Sequence, residues 1–276
     1  MPKLLTSVVA ATIALSANAN VPDSKALVNY FKKNVIRNPQ VKLKNITVND
    51  TVTDPSLPGW KVLFVTMDLE YRKRDMKVPE MLFVSDNGLV TTQLGNIKTG
   101  KQYRDAIRPP VPETMYDDAH LLYGNKDAKH KVIVFSDPMC PFCRQEVPGL
   151  LKAAKEHPDK IALYYYHLPL RNIHPVSDAL TKIMHEAQKE GKKDVVEKMY
   201  SIKLPFKETN LDKIVAAVKT HTGYSVDKKA VMSKEAKDAI AKDEEAANRL
   251  MVRGTPTIYI DGKWDRSRVG YKRLIK

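Results

Sequence analysis

One stretch constrains this 276-residue chain more than any other: "KVIVFSDPMCPFCRQ", residues 131–145. Val132–Phe135 is a continuous apolar, β-branched run of the kind found in a central strand covered on both faces. Directly after it come Cys140 and Cys143, the only two cysteines in the sequence. Pro141 stands where a helix should start, because a missing N–H costs nothing in the first helical turn. A buried strand that runs into a helix through two closely spaced thiols fixes a strand–helix unit and puts a chemical site at the junction.

Two thiols three residues apart can hold a metal, carry a haem, close a staple or exchange electrons. A structural zinc site needs two further close-spaced ligands. No other cysteine exists, and the seven histidines (120, 130, 157, 167, 174, 185, 221) contain no H-x₃₋₅-H pair, so no metal is expected. Covalent haem attachment calls for C-x-x-C-H, and residue 144 is Arg. A staple closing so small a loop removes little chain entropy. Redox exchange is left, with the cysteine pair itself as the redox group and no external cofactor.

At a helix start, free backbone N–H groups and the positive dipole end favour a thiolate. Cys140 is therefore expected to be the exposed attacking thiol, its pKa drawn from about 8.5 into the range of roughly 3.5–7.5 known for such motifs. Cys143, one turn further in, is expected to be shielded and to resolve mixed disulfides. Arg144 adds a neighbouring positive charge, Pro141 and Phe142 tune the pair, and Pro148 is expected to kink the helix. Far downstream, "RGTPTIYIDG" puts Thr255 and Pro256 at the start of another strand. A cis-proline loop there, facing the thiols, would leave its flanking backbone free to pair with an extended substrate.

The organisation around this unit follows from composition and period. Lys3, the apolar run Leu4–Leu15 and the small residues Ala17 and Ala19 make residues 1–19 an expected secretory signal peptide. Export would deliver the chain to an oxidising compartment, where an even cysteine count reads as disulfide chemistry. Residues 20–98 read as a small α+β domain: a helix over 23–37, then strands over 41–48, 61–71, 80–86 and 89–95, with Asp86-Asn87-Gly88 as a hairpin turn. Residues 99–118, interrupted by Pro109, Pro110 and Pro112, read as a stiff linker. Residues 119–276 read as an α/β domain: strand, helix to about Glu156, strand 161–170, a helical insertion over about 175–250, and a closing hairpin turning at Asp261-Gly262. Later stretches are not apolar enough to cross a membrane.

"VIVFSDPMCPFCRQ" and "GTPTIYI" resemble the thioredoxin-fold thiol–disulfide oxidoreductases of the bacterial periplasm, and the first is most similar to the DsbG/DsbC group. The resemblance implies Cys140 as attacking thiol, Cys143 as resolving thiol, and Thr255-Pro256 as the substrate-binding cis-Pro loop. It also implies a cystatin-like dimerisation domain over 20–98 and a homodimer. The long segment between Cys143 and Pro256 is nearer a DsbA-type helical insertion, as are "GNKDAKHKVIVFSD" and "YYYHLPLRNIHPVSDAL". The chain stops soon after Val269, with little room for the family's closing helix, an end that is short by nature or incomplete.

Function then has three readings. The first is a periplasmic disulfide isomerase or reductase of DsbG/DsbC type, acting on misoxidised exported proteins. The second is a DsbA-like oxidase donating disulfides to unfolded exported chains. Either needs a membrane redox partner, DsbD-like or DsbB-like. The third is a chaperone-like client-binding protein whose thiols are secondary. The formal charge of +14 does not add nucleic acid to the partners. The lysines are spread among acids on amphipathic segments such as "SKEAKDAIAKDEEAANR", as on solvated helix faces.

Overall fold

The computed structural model describes residues 22–276, so the expected signal segment lies outside the described residues. Two sheets organise the described chain, one of four strands and one of five.

The first sheet begins after helix α1 (Ser24–Tyr30), whose N-cap Asp23 accepts from Ala26 N–H, and a π-helical turn Phe31–Val35. Strands β1 (Val41–Thr53), β2 (Trp60–Tyr71), β3 (Arg74–Ser85) and β4 (Val90–Thr91) follow as an antiparallel meander in sequence order. Both faces are covered. Leu63, Val65, Leu82 and Val84 pack with Leu27 and Phe31 of the helical segment, while Val62, Phe64, Met81 and Phe83 pack on the other side with Tyr103, Ile107 and Met251. That is why the central strands read as unbroken apolar runs, since each face has its own core.

Three features here depart from the pattern read in the sequence. β1 runs five residues past Val48, through two irregularities at Leu43/Asn45 and Val48/Asp50. β3 starts at Arg74 instead of residue 80, and Pro79 sits inside it opposite Thr66. Proline is tolerated there because β4 pairs only with Phe83 and Val84, leaving the outer side of β3 open at residue 79. Its hairpin with β2 turns on Arg72 and Lys73, both at positive φ, without the Asn-Gly signature that would have announced it. The fourth strand is two residues long instead of seven.

The proline-rich connection is packed rather than free. Helix α2 (Tyr103–Ala106) buries Tyr103 against the first sheet, and Arg104 donates to the carbonyls of Met81 and Thr92 and pairs with Glu80. Residues 107–112 then run without helix or strand, and Met115 is buried beneath the second sheet.

The second sheet has the order β5-β7-β6-β8-β9. β5 (Leu121–Tyr123) forms one edge, and central β6 (His130–Ser136) leads into helix α3 (Pro141–Glu156) and back to parallel β7 (Ile161–His167). Alternate residues of the two central strands face opposite ways. Val132, Val134, Leu163 and Tyr165 meet α3 and the helical block, and Ile133, Phe135, Tyr164 and Tyr166 meet the other face. Between β7 and β8 lie α4 (Ser177–Lys189), α5 (Lys193–Lys198), α6 (Leu211–Thr222), α7 (Lys228–Met232) and α8 (Lys234–Arg249). The expected hairpin closes the sheet as β8 (Thr257–Ile260) and β9 (Lys263–Trp264), turning at Asp261 and Gly262, both at positive φ. Among the described residues no helix is long and apolar enough to cross a membrane.

Gly124, just after β5, is held by a close approach. Its φ is +82°, and a Cβ there would lie 1.8 Å from the carbonyl oxygen of Ile161. Gly191 has a similar φ of +73° but open space around it. Gly124→Ala is therefore expected to cost about 3 kcal/mol or more, clash plus left-handed backbone, and Gly191→Ala only about 1–2 kcal/mol. Urea unfolding of the two variants checks this; equal losses would mean that the close approach to β7 is not what requires glycine.

Candidate active site

The strand-to-helix junction carries the site. β6 ends at Ser136, the chain turns through Asp137, Pro138 and Met139, and Cys140 becomes the N-cap of α3 with Pro141 as first helical residue. The turn is built on Asp137, which is fully buried. One carboxylate oxygen accepts from Met139 N–H (2.7 Å) and Ser177 Oγ (2.7 Å); the other accepts from Leu170 N–H (2.8 Å) and lies 3.1 Å from His174 Nδ1. A single carboxylate thus ties the turn before the cysteines to the loop after β7 and to the start of α4. His174 lines that loop as a partner of Asp137. His167 instead ends buried in β7, its backbone N–H donating to Asp243.

Both cysteines are free thiols, Cys140 with 5 % of its surface exposed and Cys143 with none. Cys140 is thus more covered than its expected exposure. The cause is the segment before β8, whose Thr255 carbonyl oxygen accepts from Cys140 Sγ at 3.4 Å. The Thr255–Pro256 peptide is cis, and the four residues Cys140, Cys143, Thr255 and Pro256 are brought together although 115 positions separate the two halves. Pro141 and Phe142 form the outer rim. Phe142 is 59 % exposed, with the Arg268 guanidinium 5.5 Å from its ring centre.

The two thiols are driven apart electrostatically. The Cys140 thiol is lowered to about 5, first by a hydrogen bond from Cys143 and then, against the cost of burial, by Thr255 and the backbone N–H groups of Cys143 and Phe142. These last two are the free donors of a helix start. Cys143 moves the other way, pushed well up by burial and then by the hydrogen bond and charge of its neighbour. The Thr255 hydroxyl is buried without a geometric hydrogen-bond partner, which leaves it free to donate to a thiolate. Arg144, expected to supply positive charge, is committed elsewhere. Its guanidinium group donates to the carbonyls of Pro138 (2.8 Å) and Ile202 (2.8 Å) and lies 2.9 Å from Met139 Sδ. It braces the turn, and donors within the motif and Thr255 do the lowering.

Three residues outside the motif complete the site and were not singled out in the sequence. Ser136 Oγ lies 2.6 Å from Tyr200 Oη, which lies 2.5 Å from Tyr165 Oη, all buried. The neighbouring "YYYH" looked like an ordinary buried strand, and only its pairing beside β6 shows which of the three tyrosines faces α3.

Comparisons with known proteins bear on the half of the chain that holds this site. A family model described as Thioredoxin matches residues 117–276. The probable disulfide bond formation protein D of Bacillus cereus is 27 % identical over 148 residues, 50 % of this chain and 68 % of the relative, and that of Bacillus anthracis matches to the same extent. Among solved structures, oxidised BdbD from Bacillus subtilis aligns with a TM-score of 0.45 at 18 % identity, over 55 % of this chain and 86 % of its own. ScsC from Proteus mirabilis in a transitional conformation aligns with a TM-score of 0.47 at 21 % identity, over 59 % and 74 %.

The depressed thiol makes a direct prediction. Alkylation of the reduced protein by iodoacetamide should modify Cys140 alone, with a rate that rises through about pH 5 and is flat by pH 7. Cys143→Ala removes the largest stabilising hydrogen bond, so the midpoint should move upward. Mass-mapped alkylation kinetics check both; a midpoint near the ordinary thiol value in the parent protein would contradict the site geometry.

Proposed function

Because the chain belongs to the thioredoxin family, as a thiol–disulfide oxidoreductase whose redox group is its own cysteine pair, we propose that it introduces disulfides into exported proteins in the periplasm. The observation that carries this direction is the stabilised Cys140 thiolate. Oxidation to the disulfide removes that charge and forfeits its hydrogen bonds, so the donors around Cys140 favour the reduced form. A pair whose reduced form is favoured is an oxidising pair. The pH sense follows. Cys140 is depressed in the fold to about 5 and ordinary in the unfolded chain, so it stabilises the reduced fold above the ordinary thiol range. That contribution declines as pH falls and is lost through about pH 5.

In this reading the oxidised protein carries a Cys140–Cys143 bond. A client thiolate attacks Cys140 Sγ, the bond breaks, and Cys143 leaves with the electron pair and gains a proton. A second client thiolate then attacks the client sulfur of the mixed disulfide and expels Cys140 as the stabilised thiolate. The client has lost two electrons to the pair, which now holds one proton on Cys143 and the charge on Cys140, and a DsbB-like membrane partner would reoxidise it. Thr255 and Pro256 would receive the client chain beside Cys140, and Pro141 and Phe142 would tune the pair at its rim.

A second reading, a DsbG/DsbC-type isomerase or reductase kept reduced by a DsbD-like partner, is favoured by the helix-and-sheet module that precedes the linker. In that reading residues 20–98 are a cystatin-like dimerisation domain, 99–118 a linker and 119–276 the catalytic domain of a homodimer. A signal peptide over 1–19 serves either reading.

Two measurements decide. Cys143→Ala should accumulate client mixed disulfides through Cys140, and Cys140→Ala should accumulate none. Equilibration with glutathione should give a potential more oxidising than roughly −180 mV; a value near −230 mV or below, with the pair reduced in cells, would sink the oxidase in favour of the reductase.

A further inference from the structure

Whichever way electrons run, negative charge must appear on Cys143, as leaving group in one direction and as nucleophile in the other. Its sulfur is fully buried, and an uncompensated charge there would be costly. Asp137, the buried carboxylate of the adjoining turn, is an unsuitable proton acceptor because its oxygens are already engaged with Met139, Leu170, His174 and Ser177. Arg144 is likewise occupied by backbone carbonyls.

Two sources of donors remain, the Thr255 hydroxyl, which serves both sulfurs, and a chain of three buried hydroxyls, whose Ser136 lowers Cys143 more than Thr255 does. Tyr165 and Tyr200 belong to the same packed cluster as Cys143, Tyr200 on the 3₁₀ turn Met199–Ser201 that packs on α3, and Ser136 ends the strand leading to the cysteines. Three hydroxyls carry three hydrogens, and two are used at the links of 2.5 Å and 2.6 Å. Among the described residues Tyr200 Oη is the one hydrogen-bond partner within 3.5 Å of Tyr165 Oη. With Tyr165 donating to Tyr200 and Tyr200 to Ser136, the third hydrogen, on Ser136 Oγ, is free for Cys143.

We propose that Tyr165, Tyr200 and Ser136 form a charge-holding chain for Cys143, with Ser136 donating to its sulfur as it becomes a thiolate and the two tyrosines acting through Ser136 as positioning residues. This rests on the thiol–disulfide exchange reading and gives that site a second set of donors. Two electrostatic effects agree with it. The Ser136 hydroxyl lowers the Cys143 thiol against burial, and both phenols are raised chiefly by burial, to which the Cys143 charge adds and against which the Ser136 hydroxyl acts. The phenols thus keep their protons and stay donors while the sulfur is negative. Fixed donors aimed at developing charge in a dry site are the arrangement that stabilises an anionic state most. In the resolving step Cys143 S–H gives its proton to the departing thiolate, its sulfur bonds to Cys140 Sγ, and the Cys140–client bond breaks.

Stopped-flow reaction of the reduced protein with an aromatic disulfide that releases a coloured thiolate separates the two steps. The first release reports attack by Cys140, and the second reports resolution by Cys143. Ser136→Ala and Tyr200→Phe should leave the first release unchanged and slow the second by about 10- to 100-fold, the loss of one hydrogen bond to a charged group. The pH profile of the second release should shift upward, and Ser136→Thr, which keeps a hydroxyl, should restore it. A second release unchanged in both variants, or both releases slowed alike, would overturn the proposal. Should either variant fail to fold by circular dichroism, the other and Ser136→Thr carry the test. Absence of both releases in the parent protein would instead remove the exchange reading on which the proposal stands.

Discussion

Asp137 is the interaction on which the rest of the site depends. A carboxylate with no exposed surface would be untenable without compensation, and it receives donors from four places: Met139 in its own turn, Leu170 and His174 in the loop after β7, and Ser177 at the start of α4. Those bonds fix the path from β6 into α3, and so fix where Cys140 caps the helix. They also attach the helical insertion to the sheet at the same point. Because the turn is tied from three directions, the backbone donors of residues 142 and 143 can stay aimed at the Cys140 sulfur without reorganising when charge forms there.

The parts of this arrangement legible in the sequence are those encoded over short spans. Val132–Phe135 announced a doubly covered strand, Pro141 announced the helix start, and Asp261-Gly262 announced the closing hairpin. The parts that escaped depend on distant partners. Pro79 argues locally against a strand, and only the open outer side of β3 makes it admissible. Arg144 stands next to Cys143 in sequence, yet its side chain reaches back to Pro138 and across to Ile202. Ser136 and Tyr200 are 64 positions apart, and nothing in either neighbourhood foretells a hydrogen bond between them.

The first sheet also does more than precede the site. Its lower face is completed by Tyr103 and Ile107 of the connection and by Met251, which follows α8 and stands four residues before Thr255. Arg249 lies 3.6 Å from Asp50 of β1, and Lys77 of β3 pairs with Glu245 of α8. The surface ion pairs contribute little on their own. Burial of Met251 is the larger effect, worth about 1.5–3 kcal/mol when a side chain of that size leaves water. Through it the core of the first sheet reaches the segment that carries the Thr255 carbonyl over Cys140. The first sheet is thereby joined through a buried side chain to the segment that precedes β8.

The cover over Cys140 explains how one short motif keeps two thiols so unlike each other. Cys140 and Cys143 share a helical turn, so the difference cannot come from helix position alone. Cys140 sits at the mouth with the Cys143 thiol, Thr255 and two backbone N–H groups as donors, and burial is outweighed. For Cys143 burial dominates, and the charge of its neighbour adds to it. The first thiol is thus ready before a client arrives, and the second is silent until the first has reacted and lost its charge. Forming the mixed disulfide neutralises Cys140 and removes one of the effects that holds the Cys143 proton in place. The order of the two chemical steps is therefore written into the electrostatics of the pair, and the buried hydroxyls matter only once the first step is complete.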